Sequence, residues 1–256
     1  MLLRPLISRS RSIFIADQCP SQSRIIPKIS TNVTQASSIS HSTKETPQNV
    51  ALRLMPLGGS ITYGVGSSHG NGYRKYLQDL LLANGYTVRM VGSRKAGSMH
   101  NNRNEGWRGY RLDQIATKAR RSVATVKPNI FTINVGSNDC IQNHSLETFW
   151  QRMDNLLEYL WETAPQSTII LSTLLTNADL QLNYKVLDVN RDLIKLFESK
   201  AAEQKRIVLA NMFSASGPHL DELVDGTHPN NEGYKKMAQI WFEAIQKASA
   251  NGFFEN

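Results

Sequence analysis

Two hydrophobic periods alternate along this chain, and the switches between them mark its elements. Residues 52–57 form an apolar run that stops at Gly58-Gly59, which reads as a strand ending in a tight turn. Tyr73, Tyr76, Leu77, Leu80 and Leu81 then recur at helical spacing until Asn84-Gly85 ends them. A second strand follows at 86–91 and a second helix on Leu112, Ile115, Ala116, Ala119 and Val123. Residues 130–135 are a third strand, apolar enough to be buried on both faces. The remaining alternation gives a helix on Leu146, Phe149, Trp150, Met153, Leu157 and Leu160, a strand at 168–174, a helix on Leu187, Asn190, Ile194, Phe197 and Ala201, a strand at 207–210 and a closing helix on Tyr234, Met237, Ala238, Trp241 and Ile245. Five strands alternating with five helices predict an α/β fold, a three-layer α/β/α sandwich around a five-stranded parallel sheet.

Residues 1–48 show neither period. They are rich in Ser, Thr, Gln and Arg and read as a disordered or targeting segment, followed by one domain at 49–250 and a C-terminal tail at 251–256. The formal charge is +8, and half of that excess falls in the first 50 residues, whose basic, acid-poor start resembles a mitochondrial presequence more than a secretory signal. No apolar run approaches the roughly 20 residues that a membrane-spanning helix needs. With two cysteines, Cys19 and Cys140, no disulfide framework is implied. Cys140 follows a polar loop, but nothing in its surroundings would ionise a thiol, so it reads as a small core filler. A basic run extends from Arg89 to Lys127; without interleaved stacking aromatics it does not read as a nucleic-acid surface. Compartment and oligomeric state are not legible.

In open parallel sheets, ligands bind beyond the carboxyl ends of the strands. The polar clusters fall there. Ser60 follows the first strand, residues 104–109 lie in the loop after the second, 136–139 follow the third, and Asp225 and His228 come after the fifth. A serine hydroxyl is a weak nucleophile until an imidazole takes its proton, and the imidazole needs a carboxylate on its other nitrogen. Among six histidines His228 is the favoured base, because Asp225 stands three residues before it and Pro229 restricts its backbone. Asp139 and Glu105 are rival carboxylates, ranked below Asp225. Gly66-Ser67-Ser68-His69-Gly70 matches a nucleophile-elbow pattern but lacks a preceding apolar strand, so it is read as a mobile rim loop.

Four blocks in this order, Gly58-Gly59-Ser60-Ile61-Thr62, Glu105-Gly106-Trp107-Arg108-Gly109-Tyr110, Gly136-Ser137-Asn138-Asp139 and Asp225-Gly226-Thr227-His228-Pro229-Asn230, resemble the SGNH hydrolase superfamily of GDSL-type esterases. The likeness is greatest to the acetylxylan esterase-like branch, carbohydrate esterase family 3, in which the second residue of the first block is also not Asp. The resemblance implies a flavodoxin-like fold, a catalytic Ser60 with His228 and Asp225, and oxyanion donors at Ser60, Gly109 and Asn138. It implies hydrolysis of small acyl esters, O-acetyl above all, on a carbohydrate or similar small molecule, with no cofactor and no metal. Trp107, Arg108, Tyr110 and Asp139 either contact substrate or pack beneath the loop. A lipid esterase or thioesterase, or a carbohydrate-binding relative without turnover, stays open as an alternative.

Overall fold

The computed structural model describes residues 51–254. In chain order the strands are β1 (Ala51–Gly58), β2 (Thr87–Met90), β3 (Arg94–Lys95), β4 (Arg103–Gly106), β5 (Ile130–Asn134), β6 (Thr168–Ser172) and β7 (Ile207–Ala210). The helices are α1 (Ser60–Tyr63), α2 (Tyr73–Ala83), α3 (Leu112–Val126), α4 (Ser137–Ile141), α5 (Phe149–Thr163), α6 (Leu180–Ala202) and α7 (Asn231–Ala250). The region read above as a targeting or disordered segment lies outside the described residues. No helix among those described is long and apolar enough to cross a membrane.

The five expected strands form the parallel sheet, with β1 paired to β2 on one side and to β5, then β6 and β7, on the other. Two further strands are present. β4 pairs with the last residues of β1 beyond the end of β2, and β3 folds back antiparallel on β4. Their sequences, Arg-Lys and Arg-Asn-Glu-Gly, are too short and too polar to carry an alternating apolar signal. This corrects the reading of residues 104–106 as loop.

Alternation along β1 distributes the core. Leu52 and Leu54 face α2 and α7, whereas Met55 and Leu57 face α3, α5 and α6, so each face of the sheet is covered by helices. Along α6 the buried stripe is Val186, Val189, Asn190, Leu193, Leu196 and Lys200, about one residue out of phase with the apolar pattern read above. Two polar residues stand on the buried face, Asn190, which that pattern includes, and Lys200, which it passes over. Asn190 ties the Leu174 backbone through both amide atoms at 2.7 and 3.1 Å, and Lys200 meets Asp154 and Glu158 at 2.8 and 2.7 Å. Residues 251–254 pack onto the body of the domain, where Phe254 is buried and the Phe253 carbonyl accepts from Arg206 at 3.2 Å.

The sheet order positions the site. The chain leaves β1 toward β2 and later crosses back to β5, so its winding reverses between β1 and β5. Loops leaving those two strands diverge, and the crevice between them is where an open α/β sheet admits a ligand. Ser60 lies directly after β1 and Asn138 shortly after β5, with Gly58 and Asn134 paired beneath them.

Candidate active site

Ser60 is the first residue of the single-turn helix α1, delivered there by two glycines. A β-carbon at Gly58 would overlap Thr62 Oγ1 and the Asn134 carbonyl, so the turn closes only around glycine. At Gly59 a β-carbon would lie 3.2 Å from the Asn138 side-chain nitrogen, which places that amide directly beside the Ser60 turn.

His228 reaches Ser60 from the far end of the chain. Its Nε2 is 2.7 Å from Ser60 Oγ, and its Nδ1 is 2.7 Å from Asp225 Oδ2. The carboxylate on Nδ1 selects the tautomer with the proton on that nitrogen, leaving Nε2 to accept from the Ser60 hydroxyl. Asp225 is fixed in turn, its Oδ1 accepting from the Thr227 and His228 backbone N–H groups at 3.1 and 2.8 Å. Burial would raise the Asp225 carboxyl, but hydrogen bonds from the His228 side chain and from these two amides outweigh it and hold its pKa below the ordinary carboxylate value. The loop itself is anchored where Val224 N–H donates to His228 O at 2.9 Å and Asn177 Nδ2 donates to Thr227 Oγ1 at 2.9 Å.

Gly109 sits in a four-residue turn that Tyr110 N–H closes onto Trp107 O at 3.2 Å, and its φ of 74° is a left-handed value suited to glycine. Trp107 N–H donates to Gly58 O at 2.9 Å, stitching this turn to the end of β1. The backbone N–H groups of Ser60 and Gly109 have no hydrogen-bond acceptor among the described residues. Asn138 Nδ2 donates to Tyr110 O at 3.0 Å and keeps its second hydrogen. Gly59, Ser60, Tyr110 and residues 134–138 line a recess of about 10 Å³, about the room that one water needs.

Other expected residues are placed differently. Asp139 is fully buried, its oxygens taken by Leu112 N–H and Arg152 Nη1 at 2.9 Å each, so it has no free acceptor for substrate and that reading is corrected. Burial raises its pKa against the lowering effect of those same partners. Glu105 is also buried and accepts from Ser93 and from Trp107 Nε1, which makes it a fastener of the Trp107 turn. Trp107 stacks on Tyr110 with ring centroids 5.4 Å apart, and both pack against the core; Arg108 is exposed. Cys140 is fully buried, and desolvation together with the Asp139 charge pushes its thiol up to about 12. The Ser67 and Ser68 hydroxyls are engaged, Ser67 donating to Gly64 O at 2.7 Å and Ser68 accepting from Asn231 Nδ2 at 2.8 Å.

Two residues that support this geometry were not singled out for it from sequence, Arg74 being passed over and Tyr234 read only as part of the closing helix. Arg74 is fully buried, and its guanidinium donates to the carbonyls of Thr62, Tyr63, Gly70, Ala96 and Asn102 at 3.0–3.2 Å. Tyr234 Oη donates to Ile61 O and Val65 O at 3.2 and 2.5 Å. Together they hold the carbonyls of Ile61, Thr62 and Tyr63 in α1 and of Val65 just after it. A signal for Arg74 was present, since it stands three residues before Leu77 and seven before Leu81, on the apolar face of its helix.

Comparison with known proteins bears on this geometry. The family model described as "GDSL-like Lipase/Acylhydrolase family" matches residues 57–236. A multidomain esterase of Ruminococcus flavefaciens is 31% identical over 224 residues, covering 76% of this chain but 28% of that protein, so the chain spans under a third of that relative's length. The family 3 carbohydrate esterase of Clostridium thermocellum superposes with a TM-score of 0.70 at 24% identity, covering 79% of this chain and 99% of that one. A carbohydrate esterase family 3 structure from Talaromyces cellulolyticus gives 0.68 at 21% identity, over 78% and 99%. At those identities the structural likeness is one of fold.

Proposed function

This chain belongs to the GDSL-like lipase/acylhydrolase family, and from that premise we propose that it is a carboxylic ester hydrolase that removes a small acyl group, acetyl, from an oxygen of a carbohydrate or similar polyol, using Ser60, His228 and Asp225. The observation that carries the reading is the pair of 2.7 Å contacts that link hydroxyl, imidazole and carboxylate in series.

In this reading Ser60 Oγ attacks the ester carbonyl while His228 Nε2 takes its proton, and the resulting imidazolium is stabilised by Asp225 through Nδ1–H. The carbonyl oxygen becomes negative and meets three donors, the N–H groups of Ser60 and Gly109 and the free hydrogen on Asn138 Nδ2. Collapse of the tetrahedral adduct breaks the ester C–O bond, and His228 returns the proton to the leaving alcohol. Water, deprotonated by the same imidazole, then cleaves the acyl-enzyme and frees Ser60. The depressed pKa of Asp225 means that this carboxylate stays ionised well below neutrality, ready to face an imidazolium.

The size of the acyl group is argued from space. A second recess, lined by Ile61, Ile141, Leu175, Leu182 and Val186 among others, is also only about 10 Å³. Each recess has room for about one water-sized group, a scale that suits a methyl and not a fatty chain. Rates on 4-nitrophenyl esters from acetate to octanoate, with acetate release from a peracetylated sugar, test this. Acetate is expected to exceed octanoate by at least about tenfold in kcat/KM; the reverse order ends the small-acyl reading and favours a lipid esterase. The proposed oxyanion donor has its own test. Asn138→Ala is expected to lower kcat by about 100-fold to 1,000-fold with KM little changed, because the lost interaction forms only as charge develops. We further read residues 49–250, extended through Phe254, as the catalytic unit.

A further inference from the structure

The basic run between Arg89 and Lys127 has no internal counterpart. It holds ten cationic side chains against two acids, Glu105 and Asp113, while the rest of residues 51–256 carries thirteen cations against seventeen acids. None of those ten makes an ion pair among the described residues, whereas seven of the other thirteen do. Both acids within the run are already committed, Glu105 to Ser93 and Trp107, and Asp113 to Arg152 and His144.

Six of these cations, Arg94, Lys95, Arg103, Arg108, Arg111 and Lys118, lie on the hairpin of β3 and β4, the Gly109 turn and the first half of α3. Lys95 and Arg103 are direct cross-strand neighbours, an arrangement of like charges that destabilises a hairpin unless something anionic lies across it. The Arg94 guanidinium stands 4.4 Å from the Trp107 ring centroid and Lys118 Nζ stands 4.3 Å from it. Arg111 Nη1 donates to Gln142 Oε1 at 2.7 Å, and Gln142 Nε2 in turn donates to Gly109 O at 3.1 Å. Arg108 is exposed beside Gly109, and the Trp107 carbonyl just before it is 3.9 Å from where a Gly59 β-carbon would lie.

The geometry points to recognition of an anionic substrate chain: the cations around the β3–β4 hairpin and the Gly109 turn bind the carboxylates of a uronate-bearing oligosaccharide or polysaccharide while its acyl ester lies at Ser60. The inference rests on the hydrolase reading above and adds the charge class of the substrate. Arginine forks suit planar carboxylates, and charges this close together reinforce one another within a screening length of about 8 Å at physiological salt. A membrane surface fits less well, because no large apolar side chain between residues 89 and 127 is exposed. Nucleic acid also fits less well, since the aromatics present, Trp107 and Tyr110, are stacked on each other and Trp107 is tied to Glu105.

Binding and turnover separate the two layers of the inference. For the full chain carrying Ser60→Ala, affinity for an oligogalacturonate is expected to exceed that for a neutral xylo-oligosaccharide of equal length, and to fall at least about fivefold between 50 and 500 mM NaCl. The double variant Lys95→Glu/Arg103→Glu is expected to lower the ratio of kcat/KM on acetylated polygalacturonate to that on acetylated, uronate-free xylan by about tenfold, through KM rather than kcat. Equal, salt-independent binding of the acidic and neutral oligosaccharides overturns the inference, as does tighter binding of a single-stranded oligonucleotide of matched charge. Loss of hydrolysis on every ester with charge-selective binding intact would instead strike the hydrolase reading.

Discussion

Ser60→Ala is expected to lower kcat on 4-nitrophenyl acetate by on the order of a million-fold while leaving the fold in place. The magnitude follows from the relay acting as a unit, in which the imidazole has no role in acyl transfer without an oxygen to deprotonate. The Cys140 thiol is fully buried and held near 12, and the Ser67 and Ser68 hydroxyls are engaged in loop hydrogen bonds. What survives is the oxyanion donors and substrate binding, worth on the order of a thousandfold over water. Stability should stay within about 0.5 kcal/mol of wild type, since Ser60 Oγ contributes one contact, to His228, at a site that is not fully buried. His228→Ala should match it, and the double variant should be no worse than either single one, because the effects of coupled residues do not add. Rates within about tenfold of wild type for Ser60→Ala would remove the serine from the chemistry.

Parts of this architecture that rest on long apolar runs were legible from sequence, and parts that rest on polar residues were not. β5 and β6 are buried throughout and read directly as strands, as did the ends of α2 and the order of the layers. β3 and β4 are built mostly from charged and polar residues, and only the pairing of β4 with the end of β1, and of β3 with β4, makes them strands. The same blindness left Lys200 out of the buried stripe of α6. At the site, Ser60, Asp225 and His228 were singled out because the chemistry requires those residue types and Asp225 stands three residues before His228, and the structure brings them together. Asp139 was misassigned because spacing alone does not tell a carboxylate facing solvent from one clamped by Arg152. Sequence patterning reports burial of apolar area, whereas a buried ion's partners are three-dimensional facts.

Arg74 is where that distinction has its largest energetic consequence. Arg74→Leu is expected to destabilise the protein by about 3 kcal/mol or more, read as a shift in the urea midpoint and a fall of at least roughly 6 °C in Tm. The side chain stands among carbonyl oxygens with no carboxylate partner; burial pulls its pKa down, and nearby tyrosines oppose this more weakly. The dipoles of five carbonyls take the place of its hydration, and leucine would leave four of them without a donor, Asn102 O alone keeping the Ala96 N–H and Asn104 Nδ2. Those carbonyls belong to the end of α1, the Gly70 loop, the residue after β3 and the approach to β4, so one substitution loosens every segment that frames Ser60 from below. Arg74→Lys should recover only part of the loss, because an ammonium has three donors and no planar fork to span five acceptors. Activity supplies the readout that a purely structural role would not move. At a temperature where Arg74→Lys is more than nine-tenths folded, kcat is expected to fall further than the folded fraction accounts for, with KM spared, because α1 no longer holds Ser60 Oγ against His228. A Leu variant within about 0.5 kcal/mol of wild type would show instead that water replaces the guanidinium, and that α1 is held by Tyr234 and its own backbone.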